Sequence, residues 1–130
     1  MPVNPSTLAI AARDAAARAY CPYSNFHVGA AVLADGRVFS GCNVENASYG
    51  LTICAERNAI FAAIAAGARR IQAIALVCVD AADDAPAASR MPCGACRQVI
   101  AEFAPPDTPV HIEGVGTMTV AELLPSAFRL

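Results

Sequence analysis

Three cysteines and one glutamate, in two short segments, could form a metal centre with an acid–base group beside it. The segments are Cys54-Ala55-Glu56 and Pro92-Cys93-Gly94-Ala95-Cys96. Three thiolates hold one zinc ion while leaving a coordination position open, and an open position distinguishes catalytic from structural zinc sites. A carboxylate nearby can then accept and return the proton of an activated water. The pattern predicts hydrolytic chemistry with one Zn²⁺ per chain, Cys54, Cys93 and Cys96 as ligands and Glu56 as the catalytic proton carrier.

Both ligand segments stand where a helix is predicted to begin. Backbone N–H groups are unpaired at a helix N-terminus and the helix dipole favours negative charge there, which lowers the pKa of a cysteine. Three thiolates on Zn²⁺ leave a net charge of −1, which two helix N-termini can offset. We expect Arg57, next to the carboxylate in sequence, to donate hydrogen bonds to a ligand sulfur without binding the metal itself.

Two other interpretations of the cysteines have weaker support. A structural zinc site needs a fourth protein ligand, and His27 and His111 do not stand at ligand spacing from the cluster. Each histidine is expected to be an ordinary strand residue. A C-x-x-C pair can also be a redox site, but such a site needs no Cys-Ala-Glu partner. An open zinc centre therefore remains the favoured interpretation.

Glu56 also lacks the partners of an ordinary helix-start glutamate. A capping box needs Ser or Thr three residues earlier, and that position is Ile53. An ion pair along the helix needs a base three or four residues later, where Ala59 and Ile60 stand. A catalytic role for Glu56 is therefore favoured.

The overall composition indicates one small domain that handles a small molecule. The chain has 130 residues, a net charge of −2 and no basic stripe of the kind that nucleic-acid binding requires. A single domain over 1–130 is expected. The hydrophobic fraction of 56% is high for a small monomer, so part of the surface is expected to face other copies of the chain.

The chain start and the remaining cysteines indicate a cytoplasmic protein. The first residues show no basic start followed by an apolar stretch, so no secretory signal is expected. No apolar run reaches membrane-spanning length. Cys21, Cys42 and Cys78 stand in apolar or turn contexts and are interpreted as small hydrophobic residues without disulfides.

Alternating helices and strands position these segments. The predicted helices cover 7–20 with Ser6 as cap, 54–66, 93–103 and 120–124, and the predicted strands cover 26–33, 37–42, 72–79, 109–113 and 116–119. Asp35-Gly36 predicts a hairpin turn, and the nearly continuous apolar run over 72–79 is typical of a central strand. The alternation predicts a layered α/β domain with helices on both faces of a sheet.

The zinc pattern, with His or Cys as the first ligand, is a known signature of zinc nucleobase deaminases. Beyond that pattern, the chain resembles the small, zinc-dependent cytidine deaminases of the homotetrameric type. The resemblance covers almost the whole chain, and its polar loop makes it more specific than the metal motif alone. It rests on AYCPYSNFHVGAA (19–31), GCNVENASYG (41–50), TICAER (52–57), PCGACRQ (92–98) and LLPSAF (123–128).

The resemblance implies a fold and an activity. The expected fold is a three-layer α-β-α sandwich around a mixed, mostly five-stranded sheet. The expected reaction is hydrolysis of cytidine and 2′-deoxycytidine to uridine and 2′-deoxyuridine with release of ammonia, in pyrimidine salvage, by a zinc-bound hydroxide with Glu56 as proton shuttle. The partners implied are a nucleoside substrate and three further copies of the chain, without nucleic acid or membrane.

The resemblance also assigns substrate contacts. Phe26 would pack on the pyrimidine, Asn43 and Glu45 would bind the ribose 3′-hydroxyl, and the backbone of Ala55 would meet the base carbonyl. Three further residues, expected near subunit boundaries where neighbouring chains complete each pocket, are Ala47, Tyr49 and Phe128. By residue chemistry alone, Asn43 could equally bond its own backbone and Phe26 could be core.

Two other deaminases share the zinc chemistry. A deaminase acting on polynucleotide would require a basic surface, which the acidic balance of this chain disfavours. A deaminase for a cytosine-containing antibiotic differs only in which small molecule it accepts, so comparing turnover among nucleosides decides between them.

Overall fold

The computed structural model describes residues 3–130 and contains one five-stranded sheet with four α-helices. The helices are α1 (Pro5–Ala16), α2 (Ala55–Ala65), α3 (Gly94–Phe103) and α4 (Val120–Leu123), and the strands are β1 (Val28–Ala34), β2 (Arg37–Cys42), β3 (Ile71–Cys78), β4 (Pro109–Ile112) and β5 (Gly116–Thr119). Short 3₁₀ helices cover Tyr49–Leu51 and Ala87–Arg90. No helix within residues 3–130 combines the length and the apolar character needed to cross a bilayer.

The sheet is mixed, as predicted, with strand order β2-β1-β3-β4-β5. β1 pairs antiparallel with β2 and β3, β3 runs parallel to β4, and β4 pairs antiparallel with β5. β3 is the middle strand, which explains its nearly continuous apolar sequence, because both of its faces are covered.

Helices cover both faces of the sheet. On one face, Leu8 and Ala12 of α1 pack with Ala31, Ala75 and Val77. On the other face, residues of α2 and α3 form the larger core with the alternate side chains of β1 and β3, because successive residues of a strand point to opposite sides. The predicted three-layer α/β architecture is confirmed.

One glycine allows α2 to approach the sheet very closely. A Cβ atom on Gly41 of β2 would lie 2.4 Å from the backbone nitrogen of Ala59 and 2.8 Å from the carbonyl oxygen of Ala55. Any side chain at this position would therefore push the helix away. Because Gly41 has no side chain, the start of α2, which carries Cys54 and Glu56, packs directly against β2.

The first helix differs from its prediction at both ends. Asn4 is the cap, and its Oδ1 accepts from the Thr7 N–H at 2.9 Å, whereas Ser6 was the predicted cap. Pro5 explains the shift, because proline is preferred at the first helical position, where its missing N–H costs nothing. The helix ends at Ala16 and not at Tyr20, and the chain then makes turns toward the site.

Candidate metal centre and active site

The three predicted metal ligands converge at the start of two helices. Cys54 is the N-cap residue of α2 and Cys93 that of α3, and Cys96 lies one turn further on. The Sγ–Sγ distances are 3.7 Å between Cys54 and Cys93 and 3.4 Å between Cys93 and Cys96. The corners of a zinc–sulfur tetrahedron with bonds of about 2.3 Å are about 3.8 Å apart. The thiols therefore stand close to the spacing that zinc requires.

Within residues 3–130, these cysteines form the only group of three or more potential ligand residues close enough to share an ion. Both histidines are engaged elsewhere: His27 Nδ1 lies 2.7 Å from Asp80 Oδ2, and His111 Nδ1 lies 2.8 Å from Thr117 Oγ1. The donor set is thus three sulfurs, which suits Zn²⁺ with one further position for a non-protein ligand.

Arg57 supplies positive charge beside the thiols. Its Nη2 donates to Cys54 Sγ at 3.4 Å. The pKa of the Cys54 thiol is lowered because the Cys96 thiol and the Arg57 guanidinium both donate hydrogen bonds to its sulfur. The same contact raises the pKa of Arg57. A cation bonded to sulfur stabilises the thiolate, which is the form that binds metal.

Glu56 is a buried carboxyl group in the first turn of α2. It is only 4% exposed, and burial raises its pKa to about 7 because removal from water disfavours the charged form. A group with a pKa near neutrality both accepts and returns protons readily at neutral pH. Glu56 therefore has the acid–base character that its proposed role needs.

A cavity of about 190 Å³ brings Glu56 together with two of the predicted metal ligands, Cys54 and Cys93. Of the predicted substrate contacts, Phe26, Asn43 and Ala55 line it. Sequence reasoning missed six other lining residues: Val28, Thr52, Leu76, Cys78, Ser89 and Met91. Burial raises the pKa of the Cys78 thiol to about 11, so this thiol is neutral at physiological pH.

The remaining predicted contacts do not line this cavity. Glu45 and Tyr49 line an adjacent surface depression together with Tyr23, and Tyr23 and Tyr49 stack edge to face with ring centroids 6.5 Å apart. Ala47 is exposed. Phe128, 69% exposed, is held through its carbonyl oxygen, which accepts from Gln98 Nε2 at 2.9 Å.

Asn43 and Glu45 are held by the segment that presents Phe26. Asn43 Oδ1 accepts from the Val28 N–H at 2.9 Å, and its Nδ2 donates to the Phe26 carbonyl oxygen at 2.7 Å. Glu45 accepts from the Tyr23 and Ser24 N–H groups at 3.0 and 3.1 Å. The Ser24 hydroxyl group also holds the pKa of Glu45 below its usual value. These bonds fix both polar side chains near the cavity mouth, and an amide N–H and carboxylate lone pairs remain for a ligand.

The fold and the site together define a small zinc-dependent hydrolase with a mixed sheet between helices and a three-cysteine metal site. A family model described as the cytidine and deoxycytidylate deaminase zinc-binding region matches residues 4–112. This chain belongs to that family of zinc-dependent deaminases.

Individual relatives agree with the family match. The chain is 52% identical over 125 residues to a cytidine deaminase of Halalkalibacterium halodurans, covering 92% of this chain and 88% of the relative. The crystal structure of a cytidine deaminase from Burkholderia pseudomallei has a TM-score of 0.84 at 46% identity, over 97% of this chain and 100% of that one. The structure of the Mycobacterium tuberculosis cytidine deaminase has a TM-score of 0.83 at 42% identity, over 98% and 99%.

Arg97 anchors the loop that carries the Cys93 ligand. Its Nε donates to the Pro92 carbonyl oxygen at 2.8 Å, and its Nη1 donates to the Leu123 carbonyl oxygen of α4 at 2.8 Å. The guanidinium thus fixes the peptide immediately before the ligand. Hydrogen bonds of this kind orient metal ligands without touching the ion.

We expect Arg97→Met to lower zinc affinity by about 10- to 100-fold, the range typical for loss of a group that orients a metal ligand. Competition against a chromophoric chelator measures the affinity. Arg18→Met, which removes an exposed arginine, is the matched control and should leave the affinity unchanged. Equal zinc affinities in the two variants would show that Arg97 does not orient Cys93.

Proposed function

We propose that this chain hydrolyses the 4-amino group of cytidine and 2′-deoxycytidine, giving uridine or 2′-deoxyuridine and ammonia, in pyrimidine salvage. The observation that carries the proposal is the buried carboxyl group of Glu56, in one cavity with two of the three clustered thiols. Similarity to cytidine deaminases along almost the whole chain supports the choice of substrate.

Glu56 carries the proton transfers in this proposal. Zinc, when held by Cys54, Cys93 and Cys96, would lower the pKa of water in the site, so that the hydroxide that attacks carbon is available near neutral pH. Glu56 takes the proton of the attacking water and passes it to ring N3, which makes C4 more electrophilic. The water oxygen bonds to C4, and Glu56 then takes the proton of the resulting C4 hydroxyl group and delivers it to the amine, so that the C4–N bond breaks, the C4 carbonyl forms and ammonia leaves. One water is consumed, and the carboxylate is regenerated.

The cavity walls would orient the nucleoside. Phe26 packs on the pyrimidine ring, the backbone of Ala55 contacts the base carbonyl, and Asn43 and Glu45 bind the ribose. Phe26, Asn43 and Ala55 line the cavity, and Glu45 lies in the depression beside it, which supports this arrangement.

We also propose that the chain works as a homotetramer whose pockets lie at subunit boundaries. Tyr49 is 79% exposed and both it and Phe128 stand outside the cavity of their own chain. Ala47, Tyr49 and Phe128 would thus contact a pocket completed by a neighbouring subunit. Other large apolar residues that lie exposed on the same protomer are Ile10, Tyr20, Leu51 and Phe61.

Sedimentation equilibrium tests the assembly. We expect four times the mass of one 13.4 kDa chain at micromolar concentration, because the exposed apolar side chains gain from burial between copies. A monomer mass at these concentrations would contradict the tetramer.

We also propose that the chain is a single domain and that it is cytoplasmic. The location is supported because a reducing compartment suits the cysteines. All six cysteines are free, and thiols that must bind metal survive where glutathione keeps them reduced.

Absorbance-monitored conversion of cytidine by the purified protein, with and without a strong chelator, tests the activity. We expect turnover that the chelator abolishes and added zinc restores. Parallel assays with a cytosine-containing oligonucleotide and a cytosine-containing antibiotic separate the alternatives named above. A zinc-loaded protein that deaminates either of these but not cytidine would overturn the proposal.

A further inference from the structure

The segment between β3 and α3 forms a wall of the cavity, and its residues before Pro92 belong to none of the sequence motifs. It covers residues 79–93 and includes the 3₁₀ helix Ala87–Arg90. Ser89 and Met91 of this segment line the cavity together with the start of α2. The shape of the cavity therefore depends on whatever holds this segment in place.

Arg90 connects the two ends of that segment. Its side chain is buried, with 8% of the residue exposed. Nη2 donates to the Ala82 carbonyl oxygen at 2.6 Å, and Nη1 makes a longer contact of 3.5 Å with the Glu113 carbonyl oxygen at the end of β4. The guanidinium thus closes the segment on itself and attaches it to the sheet.

Arg90 has no ion-pair partner within residues 3–130. A buried guanidinium group is stable only where its N–H groups are bonded, and here the acceptors are backbone carbonyl oxygens. Because a lost bond would leave a buried charge unsatisfied, Arg90 and the two carbonyls strongly favour one arrangement of the segment.

Gly114, in the turn between β4 and β5, provides the surface on which the guanidinium lies. A Cβ atom at Gly114 would be 2.7 Å from Arg90 Nη1 and 2.9 Å from its Cζ. The φ angle of Gly114 is +84°, which also favours glycine. The turn is thus shaped to receive the arginine side chain.

We propose that Arg90 is a positioning residue for nucleoside binding: by bonding Ala82 and the β4–β5 turn, it holds the wall formed by Ser89 and Met91 against the substrate. The proposal rests on the proposed deaminase function. The metal ligand that ends the segment is anchored separately, since Arg97 holds the Pro92 carbonyl oxygen. Arg90 therefore acts on substrate affinity and leaves zinc binding to Arg97.

The test begins with Arg90→Met, which keeps most of the side-chain volume and removes the donors. We expect KM for cytidine to rise about tenfold or more, because small displacements of a binding wall weaken positioning strongly, while kcat changes less than about threefold, the pattern of lost uniform binding. Zinc content should stay at one per chain. Amide hydrogen exchange in residues 82–90 should become faster. Arg90→Lys, which can reach one carbonyl oxygen, should restore part of the KM change.

Arg70→Met is the matched control, because Arg70 is exposed and far from this wall in the sequence; its KM should equal that of the native protein. A second pair approaches the same contact from the turn. Gly114→Ala should raise KM as Arg90→Met does. Gly67→Ala, also at positive φ but with no atom within 4 Å of the added carbon, should not. Combining Arg90→Met with Gly114→Ala should add little, because both disturb one contact.

The outcomes separate the two proposals. A zinc-loaded native protein that does not deaminate cytidine contradicts the function, whatever Arg90 does. The role of Arg90 is overturned if the native protein is active and the KM of both Arg90→Met and Gly114→Ala stays within about twofold of the native value, a change too small for a lost contact. Loss of zinc in parallel with the rise in KM also overturns it, because Arg90 would then act through the metal centre.

Discussion

Glu56→Gln should lower kcat for cytidine by more than about 10⁴-fold, while the protein keeps one zinc per chain. A single general acid–base transfer contributes about 10²- to 10⁴-fold, and Glu56 is proposed to make more than one transfer in each turnover. The glutamine amide matches the carboxylate in shape but cannot carry the proton. Because Glu56 forms no salt bridge with the described residues, the fold should tolerate the exchange.

Single-turnover kinetics, zinc analysis and binding of the product uridine measure this variant. Product affinity near the native value, together with full zinc content, would show that the site is intact and that only proton transfer is lost. Near-normal turnover in Glu56→Gln would instead require another proton carrier.

Cys93→Ala should release the zinc and abolish activity, because two sulfurs do not complete the ligand set. It should also lower Tm, since the free energy of metal binding adds to the free energy of folding. Cys93 is exposed, whereas Cys96 is buried. Replacing Cys93 therefore removes little packing, and its effect on stability should come almost entirely from the metal.

Excess chelator provides the control. The Tm difference between the native protein and Cys93→Ala should vanish when both are measured in excess chelator. Cys78→Ala, which removes a neutral thiol from the same cavity, should keep full zinc content. A Cys93→Ala protein that still binds one zinc per chain would contradict the assigned ligand set.

Local spacing was enough to predict the parts of the site that lie on one helix. Cys54, Glu56 and Arg57 fall within four residues, so the start of α2 places them together without any knowledge of the rest of the fold. The second ligand pair, Cys93 and Cys96, spans a single turn of α3. Strand alternation and the Asp35-Gly36 turn likewise predicted the sheet closely, and β2 and β5 have the predicted bounds.

The cavity walls could not be predicted in this way, because they come from distant parts of the chain. Leu76 and Cys78 reach the site from β3, and Ser89 and Met91 from an irregular segment with no periodic pattern. The bonds of Arg90 and Arg97 end on backbone carbonyl oxygens, and such acceptors leave no signature in residue types. Only the Arg97 contact had a sequence signal, namely Pro92-Cys93 followed four residues later by Arg97.

Zinc bound at Cys54 and Cys93 would link residues 39 positions apart in sequence and belonging to different helices of one layer. It would thereby act as a cross-link, and cross-links over long loops reduce the freedom of the unfolded chain more than those over short ones. The ligand set is complete only after α2 and α3 have docked side by side on the sheet. The rate of metal capture during refolding should therefore report the assembly of this helical layer, independently of catalysis.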